Sequence, residues 1–338
     1  MKKRLLAMLL AGAMCASLAA CGGSDTPAAN GGESTGESTG EGYAIDVILK
    51  TTASEYWGYV QAGALSYMEE HPEVTVEVKG ASSETAYDEQ QNMIETDLNS
   101  GAYDAFVIAP LQADLVKTLI AGQTAPIIAV DTDIDAPEVL SFVGTGNEDA
   151  AAMGGEEAVA AAKAAGWADD QLTAIAISGV QGDATAEARL AGYQKGVEAA
   201  GGTFLVDEIQ YANAVADQAA TSMEAIMQNH PEGVAMILCN NDDMAMAAAR
   251  AAAGNAAYEN TIFVGFDGIQ SACNAILAGE ETMSVAQEAF DMGYMAVEAA
   301  VSALNGETPA EFIDSGCSVV TAENAQERLD TLKSYLGE

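Results

Sequence analysis

The sequence has few positively charged residues. Of its 338 residues, 12 are Lys or Arg and 51 are Asp or Glu, giving a formal net charge of −39 at pH 7. An acidic excess of this size repels the phosphates of nucleic acids and of anionic lipid headgroups. We therefore expect no nucleic acid partner. The 49% hydrophobic content in turn excludes a chain that is disordered throughout.

The sequence also lacks the run of about 20 apolar residues that a helix needs to cross a membrane. The nearest approach is at the start of the chain, where three cations at residues 2–4 precede a shorter apolar run and small residues up to Cys21. This order is typical of an export signal over residues 1–20. The segment Leu18-Ala-Ala-Cys21 resembles the lipobox of bacterial lipoproteins, in which the cysteine is acylated after cleavage.

This pattern predicts an extracytoplasmic protein anchored to the bacterial cell membrane by lipidated Cys21, with no other membrane contact. The alternative is an ordinary cleaved signal with an incidental Cys21. Residues 21–42 are rich in Gly, Ser, Thr and Glu and twice contain Gly-Glu-Ser-Thr. We interpret them as the lipidated cysteine and a flexible linker, since such a composition buries too little apolar surface to fold.

Cysteine and histidine are scarce. Beyond Cys15 and Cys21, the chain has Cys239, Cys273 and Cys317, an odd number that implies no complete disulfide framework. Two alternatives remain: one disulfide bond between two of these cysteines, or buried free thiols. The two histidines are far apart and have no ligand spacing around them, so we expect no zinc site.

No motif in the sequence supports catalysis. There is no phosphate-binding loop, and the pattern Gly-x-Ser-x-Gly occurs only at residues 32–36 and 36–40, in the linker and not between a predicted strand and a helix as a nucleophile elbow requires. Residues 144–146 lack the third glycine of a dinucleotide fingerprint. Residues 131–135 resemble the start of an EF-hand loop, but Ala136 and Phe142 replace its glycine and glutamate. We predict no catalytic residue, no metal and no cofactor. A secreted enzyme on an α/β scaffold remains the alternative from another class.

From Tyr43 onward, short apolar runs alternate with amphipathic segments of helix length. This alternation predicts an α/β fold with parallel sheets covered by helices on both faces. The predicted strands are Ile45–Leu49, Val74–Val78, Ala105–Ala109, Ile127–Val130, Thr173–Ile177, Thr203–Val206, Val234–Leu238, Ile262–Phe266 and Thr282–Ala286.

Polar and aromatic residues follow these strands, at the edge where open parallel sheets bind ligands. Asp, Asn, Gln and Arg satisfy hydroxyl groups, and aromatic rings pack on the C–H faces of a sugar. Arg189 is informative because only three arginines follow the signal. The candidate ligand-binding residues are Lys50, Ser54, Tyr56, Trp57, Asp131, Arg189, Asn241, Phe266, Asp267 and Gln287.

Each candidate also has a structural explanation. Tyr56 and Trp57 are adjacent and point in different directions, so at least one of them is expected in the core. Asn241 belongs to a cluster of Asn and Asp before a helix, where capping explains one or two members. Helix capping likewise explains Asp267, and Arg189 has the alternative of a surface position or a surface ion pair.

Together these residues make the chain resemble the type I periplasmic sugar-binding proteins of ABC transporters, the group of ribose-, allose- and galactose-binding proteins. The resemblance covers roughly residues 43–320. It is strongest in the segments Leu49–Trp57, Ala109–Leu111, Ala186–Arg189, Asn241–Met246 and Val264–Gly268, with Gln287 following a further strand.

The resemblance implies two Rossmann-like lobes joined by a three-segment hinge, near residues 144–147, 287–288 and 313–315. The first lobe would comprise residues 43–145 and 288–313, and the second residues 146–287 and 314–338. Tyr56 and Trp57 would contact the ring of the sugar and Phe266 would face it from the other side, while the remaining candidates would bind its hydroxyls.

The implied function is capture of a monosaccharide, without catalysis, and its delivery to a membrane-embedded ABC permease by a monomeric protein. Lys50 and Trp57 are closer to the allose-binding pattern than to the ribose one, which favours a pyranose hexose and leaves a ribose-like sugar as the alternative. Ser54 and Thr132 depart from the residues usual in the family, so the sugar stays unassigned. The alternative within binding proteins is a sensor for a sugar or furanose signal that acts on a membrane kinase.

Overall fold

A computed structural model describes residues 42–338. The predicted signal, Cys21 and the linker up to residue 41 lie outside the described residues. Two sheets, each covered by helices, make up the fold, so the predicted α/β class is confirmed. Within residues 42–338, no helix is both long enough and apolar enough to span a bilayer.

The first sheet has six parallel strands in the order β12-β5-β4-β3-β1-β2. Its strands are β1 (Tyr43–Thr51), β2 (Val74–Ala81), β3 (Ala105–Ile108), β4 (Ile127–Val130), β5 (Val139–Gly144) and β12 (Phe312–Asp314). Its helices are α1 (Glu55–Glu70), α2 (Tyr87–Ser100), α3 (Ala113–Ile120) and α9 (Ala289–Leu304).

The central strands of this sheet are buried on both faces. In β3, Val107 packs in the core with α1 and α9, whereas Phe106 and Ile108 pack in the core with α2 and α3. Because successive side chains of a strand point to opposite faces, a strand covered on both sides is apolar along its whole length. This explains why these strands are evident in the sequence.

The second sheet has the order β13-β11-β10-β9-β6-β7, with β8 paired to β6. Its strands are β6 (Thr173–Ser178), β7 (Thr203–Phe204), β8 (Gln210–Tyr211), β9 (Met236–Cys239), β10 (Ile262–Asp267), β11 (Met283–Gln287) and β13 (Cys317–Val320). Its helices are α4 (Asn147–Ala164), α5 (Ala184–Ala199), α6 (Ala216–Asn229), α7 (Asp242–Ala252), α8 (Gln270–Ala278) and α10 (Ala325–Tyr335). Only β13 is antiparallel to its neighbour in this sheet.

The chain crosses between the sheets three times. The crossings lie between β5 and α4 at residues 145–146, between β11 and α9 at Glu288, and between β12 and β13 at residues 315–316. Asp314 pairs with Gly144 in the first sheet, so the third crossing falls just after the predicted boundary at residues 313 and 314. Both sheets therefore contain strands from distant parts of the chain.

Helices α1 and α9 pack closely through two glycines. A Cβ atom on Gly63 would lie 1.9 Å from the carbonyl oxygen of Phe290, and one on Gly293 would lie 2.0 Å from that of Val60. These distances are well below van der Waals contact, so any side chain at either position would push the helices apart.

We therefore expect Gly63→Ala to lower the free energy of unfolding by about 1 to 3 kcal/mol, the usual range for overpacking a core. Gly58→Ala is the matched control on the same helix, because nothing lies within 4 Å of the Cβ it would add. That change should be neutral or stabilising by up to about 1 kcal/mol, since alanine favours helix. Urea unfolding followed by circular dichroism measures both, and equal stability of the two variants would contradict the packing argument.

Candidate functional site

The carboxyl ends of strands from both sheets border a common cavity of about 40 Å³, which we call the cleft cavity. Both lobes supply its walls. Its lining consists of Lys50, Ser54, Tyr56, Trp57, Glu84, Asp131, Val180, Asp183, Thr185, Arg189, Asn240, Asn241 and Asp267. Eight of the ten candidate residues are thus brought together, and Phe266 and Gln287 are not among the lining residues.

The aromatic pair forms the wall of the first lobe. Tyr56 and Trp57 are both nearly fully buried, and their ring centroids are 5.1 Å apart in an edge-to-face arrangement. The Tyr56 hydroxyl donates a hydrogen bond to Asp131 Oδ1 at 2.9 Å, and Trp57 Nε1 donates to Glu84 Oε1 at 3.3 Å. Both rings therefore serve the core and the cavity at once, and the core and cleft interpretations of this pair are not exclusive.

Lys50 connects the two lobes. Its Nζ lies 3.0 Å from Asp183 Oδ2 in the second lobe and 3.8 Å from Asp131 Oδ2 in the first. Burial alone would lower the pKa of Lys50, but the carboxylates of Asp183 and Asp131 outweigh it and hold that pKa above its ordinary value. Burial likewise opposes ionisation of Asp183, whose pKa is nevertheless lowered to about 2 by Lys50 and by hydrogen bonds from Thr185 and the Ala186 amide.

Arg189, in the second turn of α5, is fixed from several sides. Its Nε donates to Asn147 Oδ1 and its Nη1 to the Asn240 carbonyl oxygen, both at 2.8 Å. The guanidinium carbon lies 3.8 Å from the ring centroid of Phe266, and Nη1 lies 3.8 Å from Asp267 Oδ1. The guanidinium is thus oriented before any ligand arrives, which reduces the entropy lost when it donates to one.

Two carboxylates of the cavity are on strained backbone. Asp131 has φ of 63° and Asp267 has φ of 121°, in the region that side-chain-bearing residues rarely adopt. Such strain costs of order 1 to 3 kcal/mol and is concentrated at functional sites. Asp131 follows β4 directly and Asp267 is the last residue of β10, and both side chains line the cleft cavity. Burial raises the pKa of Asp267, against the effect of Arg189.

The two candidates outside the lining support it from behind. Phe266 is fully buried and Arg189 covers its ring, so its face is turned to the guanidinium and not to the cavity. Gln287 is also buried, and its Nε2 donates to Asp267 Oδ1 at 2.8 Å. In this structure Phe266 thus contacts Arg189, Gln287 contacts Asp267, and neither residue lines the cleft cavity.

The Asn and Asp residues at the start of α7 make different contacts. Asn241 Oδ1 accepts from the Met244 amide at 3.0 Å and so caps the helix, and the same residue lines the cavity. Asp242 is fully buried and accepts from Ser284 Oγ at 2.5 Å and from the Ile269 amide at 3.0 Å. Asp242 thereby holds the loop that follows Asp267, whereas Asn241 faces the cleft.

Five lining residues were not among the candidates: Glu84, Val180, Asp183, Thr185 and Asn240. Glu84 follows β2, and Val180 and Asp183 follow β6, so the position of each after a strand was the available signal. Asp183 Oδ1 also accepts from the Ala186 amide, and this capping role alone explains an aspartate there. An acid at position 84 is inconspicuous in a chain with 51 of them.

The thiols are free within the described part of the chain. Cys239 and Cys273 are buried and Cys317 is half-buried, and none is paired. Across residues 42–338, no group of three or more His, Cys, Asp and Glu side chains has an arrangement that would hold a metal ion. The side chains that line the cleft supply hydrogen-bonding groups, charges and aromatic surface.

Two hinged lobes around a polar and aromatic cleft define a class of proteins that enclose small polar ligands, and known proteins of this class match the chain. Residues 45–308 match the family described as periplasmic binding protein domain. The D-ribose/D-allose-binding protein of Pseudomonas aeruginosa is 29% identical over 278 residues, which cover 78% of this chain and 83% of that protein. The D-allose-binding periplasmic protein of Escherichia coli is 28% identical over 266 residues, covering 76% and 83%.

Solved structures agree. A carbohydrate transporter solute-binding protein from Agrobacterium radiobacter, in complex with D-arabinose, is 25% identical with a TM-score of 0.78, and the match covers 86% of this chain and 98% of that one. A periplasmic solute-binding protein from Actinobacillus succinogenes with bound D-allose shares the fold, with a TM-score of 0.73 at 21% identity over 84% and 99% of the two chains. The chain therefore belongs to the periplasmic binding protein family, as a type I sugar-binding protein of the ABC transporter kind.

Behind the cleft, Asp242 faces a second buried carboxyl group. Glu281 is 3% exposed, and neither of its side-chain oxygens has a hydrogen-bond partner among residues 42–338. Both groups point to the same spot, because Asp242 Oδ1 and Glu281 Oε1 lie 2.2 and 2.4 Å from where a Cβ of Gly265 would be. Burial raises the pKa of Asp242 to about 7 and raises that of Glu281, with Asp242 adding to the second effect.

A carboxyl group whose pKa is higher in the folded than in the unfolded state binds its proton more tightly when the protein is folded. The free energy of unfolding therefore decreases as the pH rises from the unfolded-state pKa to the folded-state pKa. We expect the free energy of unfolding to fall between about pH 4 and pH 7, the interval between the ordinary pKa of Asp242 and its raised value, and Glu281→Gln to reduce that fall by about 1 kcal/mol or more. Urea unfolding across this pH range measures the slope. Glu280→Gln is the control: Glu280 is exposed, so its replacement should leave the slope of the unfolding free energy against pH unchanged. If Glu281→Gln also left this slope unchanged, the result would contradict the role assigned to the buried pair.

Proposed function

We propose that this protein captures one monosaccharide ring, a pyranose, between its two lobes and delivers the sugar to an ABC permease in the membrane. The observation that carries the proposal is the convergence of Asp131, Arg189 and Asp267 with Tyr56 and Trp57 on one enclosed cavity. Carboxylates accept from sugar hydroxyls, the guanidinium donates to sugar oxygens, and the aromatic rings cover the C–H surface.

The ligand-binding residues proposed are the eight lining candidates, together with Glu84 and Asp183. Phe266 and Gln287 are proposed as supports of Arg189 and Asp267. The relatives bind ribose and allose by name, which supports a sugar of this size for the present chain.

Entry of the ligand requires the lobes to separate. The cleft cavity of about 40 Å³ holds only a few water molecules, since each needs at least about 10 to 15 Å³. A sugar ring with its hydroxyls is several times larger than a water molecule. We infer that the lobes rotate about the three crossing segments, and that the ligand then favours a closed form because only that form contacts it from both sides.

Isothermal titration calorimetry against a panel of pentoses and hexoses tests the proposal, and the bound sugar should be recovered unchanged. Asp267→Asn should weaken binding of that sugar at least tenfold, because a hydrogen bond to a charged group contributes about 1.5 to 3 kcal/mol. Asp149→Asn, an exposed position, is the matched control and should bind like the parent. Binding of no sugar, or turnover of the sugar, would reject the proposal.

We also propose that lipidated Cys21 anchors the protein to the outer face of the cell membrane and that residues 22–42 form the tether. The order of cations, apolar run, small residues and cysteine supports this assignment. A sugar receptor held beside its permease would release its ligand where it is needed.

In cells labelled with radioactive palmitate, the parent should incorporate label and sediment with membranes, whereas Cys21→Ser should do neither. Cys15→Ser is the control, because residue 15 lies in the segment that is predicted to be removed. Labelling of the Cys21→Ser protein would contradict the anchor.

A further inference from the structure

A second cavity of about 230 Å³ adjoins the cleft cavity, and we call it the side cavity. The two share Ser54, Glu84 and Asn241 as lining residues. A loop of each lobe borders the side cavity, the first at residues 82–85 after β2 and the second at residues 213–215 after β8. The side cavity therefore continues from the cleft cavity past these three shared residues.

The volume of the side cavity is that of a sizeable chemical group. At about 230 Å³ it is more than five times as large as the cleft cavity of about 40 Å³. Most of the side chains around it carry a hydroxyl or an amide group, among them Thr51, Ser83, Thr85 and Asn213. The space thus suits a hydroxylated group of several heavy atoms.

A larger cavity of about 510 Å³ lies on the other flank of the cleft and shares Val180 and Asp183 with it. Asp183 is held there by the Lys50 ammonium at 3.0 Å, so a buried ion pair between the lobes occupies the shared boundary. Extending a ligand on that side would require breaking this pair. No interlobe ion pair involves the residues shared with the side cavity, within the described part of the chain.

Backbone strain marks the same two cavities. Residues 42–338 contain four non-glycine residues with positive φ: Asp131 and Asp267 in the cleft cavity, and Asn213 and Ala214 in the side cavity, with φ of 50° and 58°. Alanine has no polar side chain with which to compensate for this conformation, and strain of this kind is concentrated at ligand clamps and active sites. Residues 213 and 214 thus have φ values close to that of Asp131 in the cleft, and this conformation costs stability.

The charges of the side cavity define what it accepts. Glu84 and Asp243 line it from opposite lobes, and its lining includes no Lys, Arg or His. Neither carboxylate forms an ion pair with any residue of the described chain. An anionic group would be repelled here, whereas hydroxyl groups would donate to the carboxylates.

We propose that the side cavity is a second subsite, which binds a hydroxylated neutral substituent on the sugar in the cleft, as the second ring of a disaccharide. This inference rests on the proposed function and extends it: the ring enclosed by the cleft is one unit of a larger, uncharged glycoside. A sugar phosphate does not fit the charge of the subsite.

Calorimetry with the purified full chain tests the subsite. The probes are free pentoses and hexoses, the disaccharides maltose, cellobiose, lactose and melibiose, and glucose 6-phosphate. At least one disaccharide should bind ten times more tightly than either of its component sugars, and the phosphate should bind no better than glucose.

Two matched variants locate the second ring. Ser83→Trp fills the side cavity from an exposed position, and Gln112→Trp does the same on the opposite flank. Ser83→Trp should remove the tenfold advantage of the disaccharide and change the affinity for the monosaccharide less than threefold, while Gln112→Trp should preserve both. Circular dichroism and unchanged melting temperatures establish that the two variants are folded.

The possible failures are distinguishable. Monosaccharide binding together with weaker binding of every disaccharide would overturn the subsite and leave the proposed function standing. Loss of the disaccharide advantage in Gln112→Trp, with its retention in Ser83→Trp, would also overturn it by placing the substituent on the other flank. Binding of no carbohydrate in the panel would reject both the subsite and the proposed function.

Discussion

The ammonium of Lys50 is buried between carboxylates of two different lobes, 3.0 Å from Asp183 and 3.8 Å from Asp131. Removing a charge from water is expensive, and a buried ion pair is tolerated only when its partners are well placed. The arrangement of the lobes seen here supplies those partners. Separation of the lobes breaks the contact with Asp183 and leaves Lys50 with Asp131 and Glu84 of its own lobe, so the electrostatics of the cleft depend on how far it is closed.

Arg189, another charged group of the cleft, is also held in place by neighbouring residues. Arg189 is held by Asn147 and by the Asn240 carbonyl, and it lies over the ring of Phe266. Because these contacts come from the protein itself, the guanidinium keeps its orientation whether or not the lobes are closed. A ligand then meets donors and acceptors that are already in place, which is the main requirement for distinguishing sugars by their hydroxyl groups.

Much of this architecture could be predicted from the sequence because its central strands are buried on both faces. All nine predicted strands are present, although the strand at Thr203 ends at Phe204 and not at Val206. The strands that were not predicted, β5, β8, β12 and β13, are short or partly exposed, and β12 has the exposed residues Phe312 and Asp314. Such strands owe their existence to a neighbour in the sheet, which no local pattern reveals.

The limits of the site prediction have a similar cause. Phe266 was predicted to face the ligand, yet Arg189 lies over its ring, and this contact depends on how α5 packs against β10. Asp183 was not among the candidates: its position after a strand was visible in the sequence, but its contact with Lys50 joins residues 133 positions apart. Position after a strand could be predicted for these residues, but which neighbour each would meet depends on the packing of two lobes.

The interleaving of the chain has a consequence for how the molecule is assembled. Strand β12, at the edge of the first sheet, and helix α9, which covers that sheet, both follow all the parallel strands of the second sheet along the chain. During synthesis from the amino terminus, the first lobe therefore remains unfinished until nearly the entire polypeptide has emerged. No single cut divides the chain into two complete lobes. A cut after Gln287, for example, would separate α9 and β12 from the rest of the first lobe.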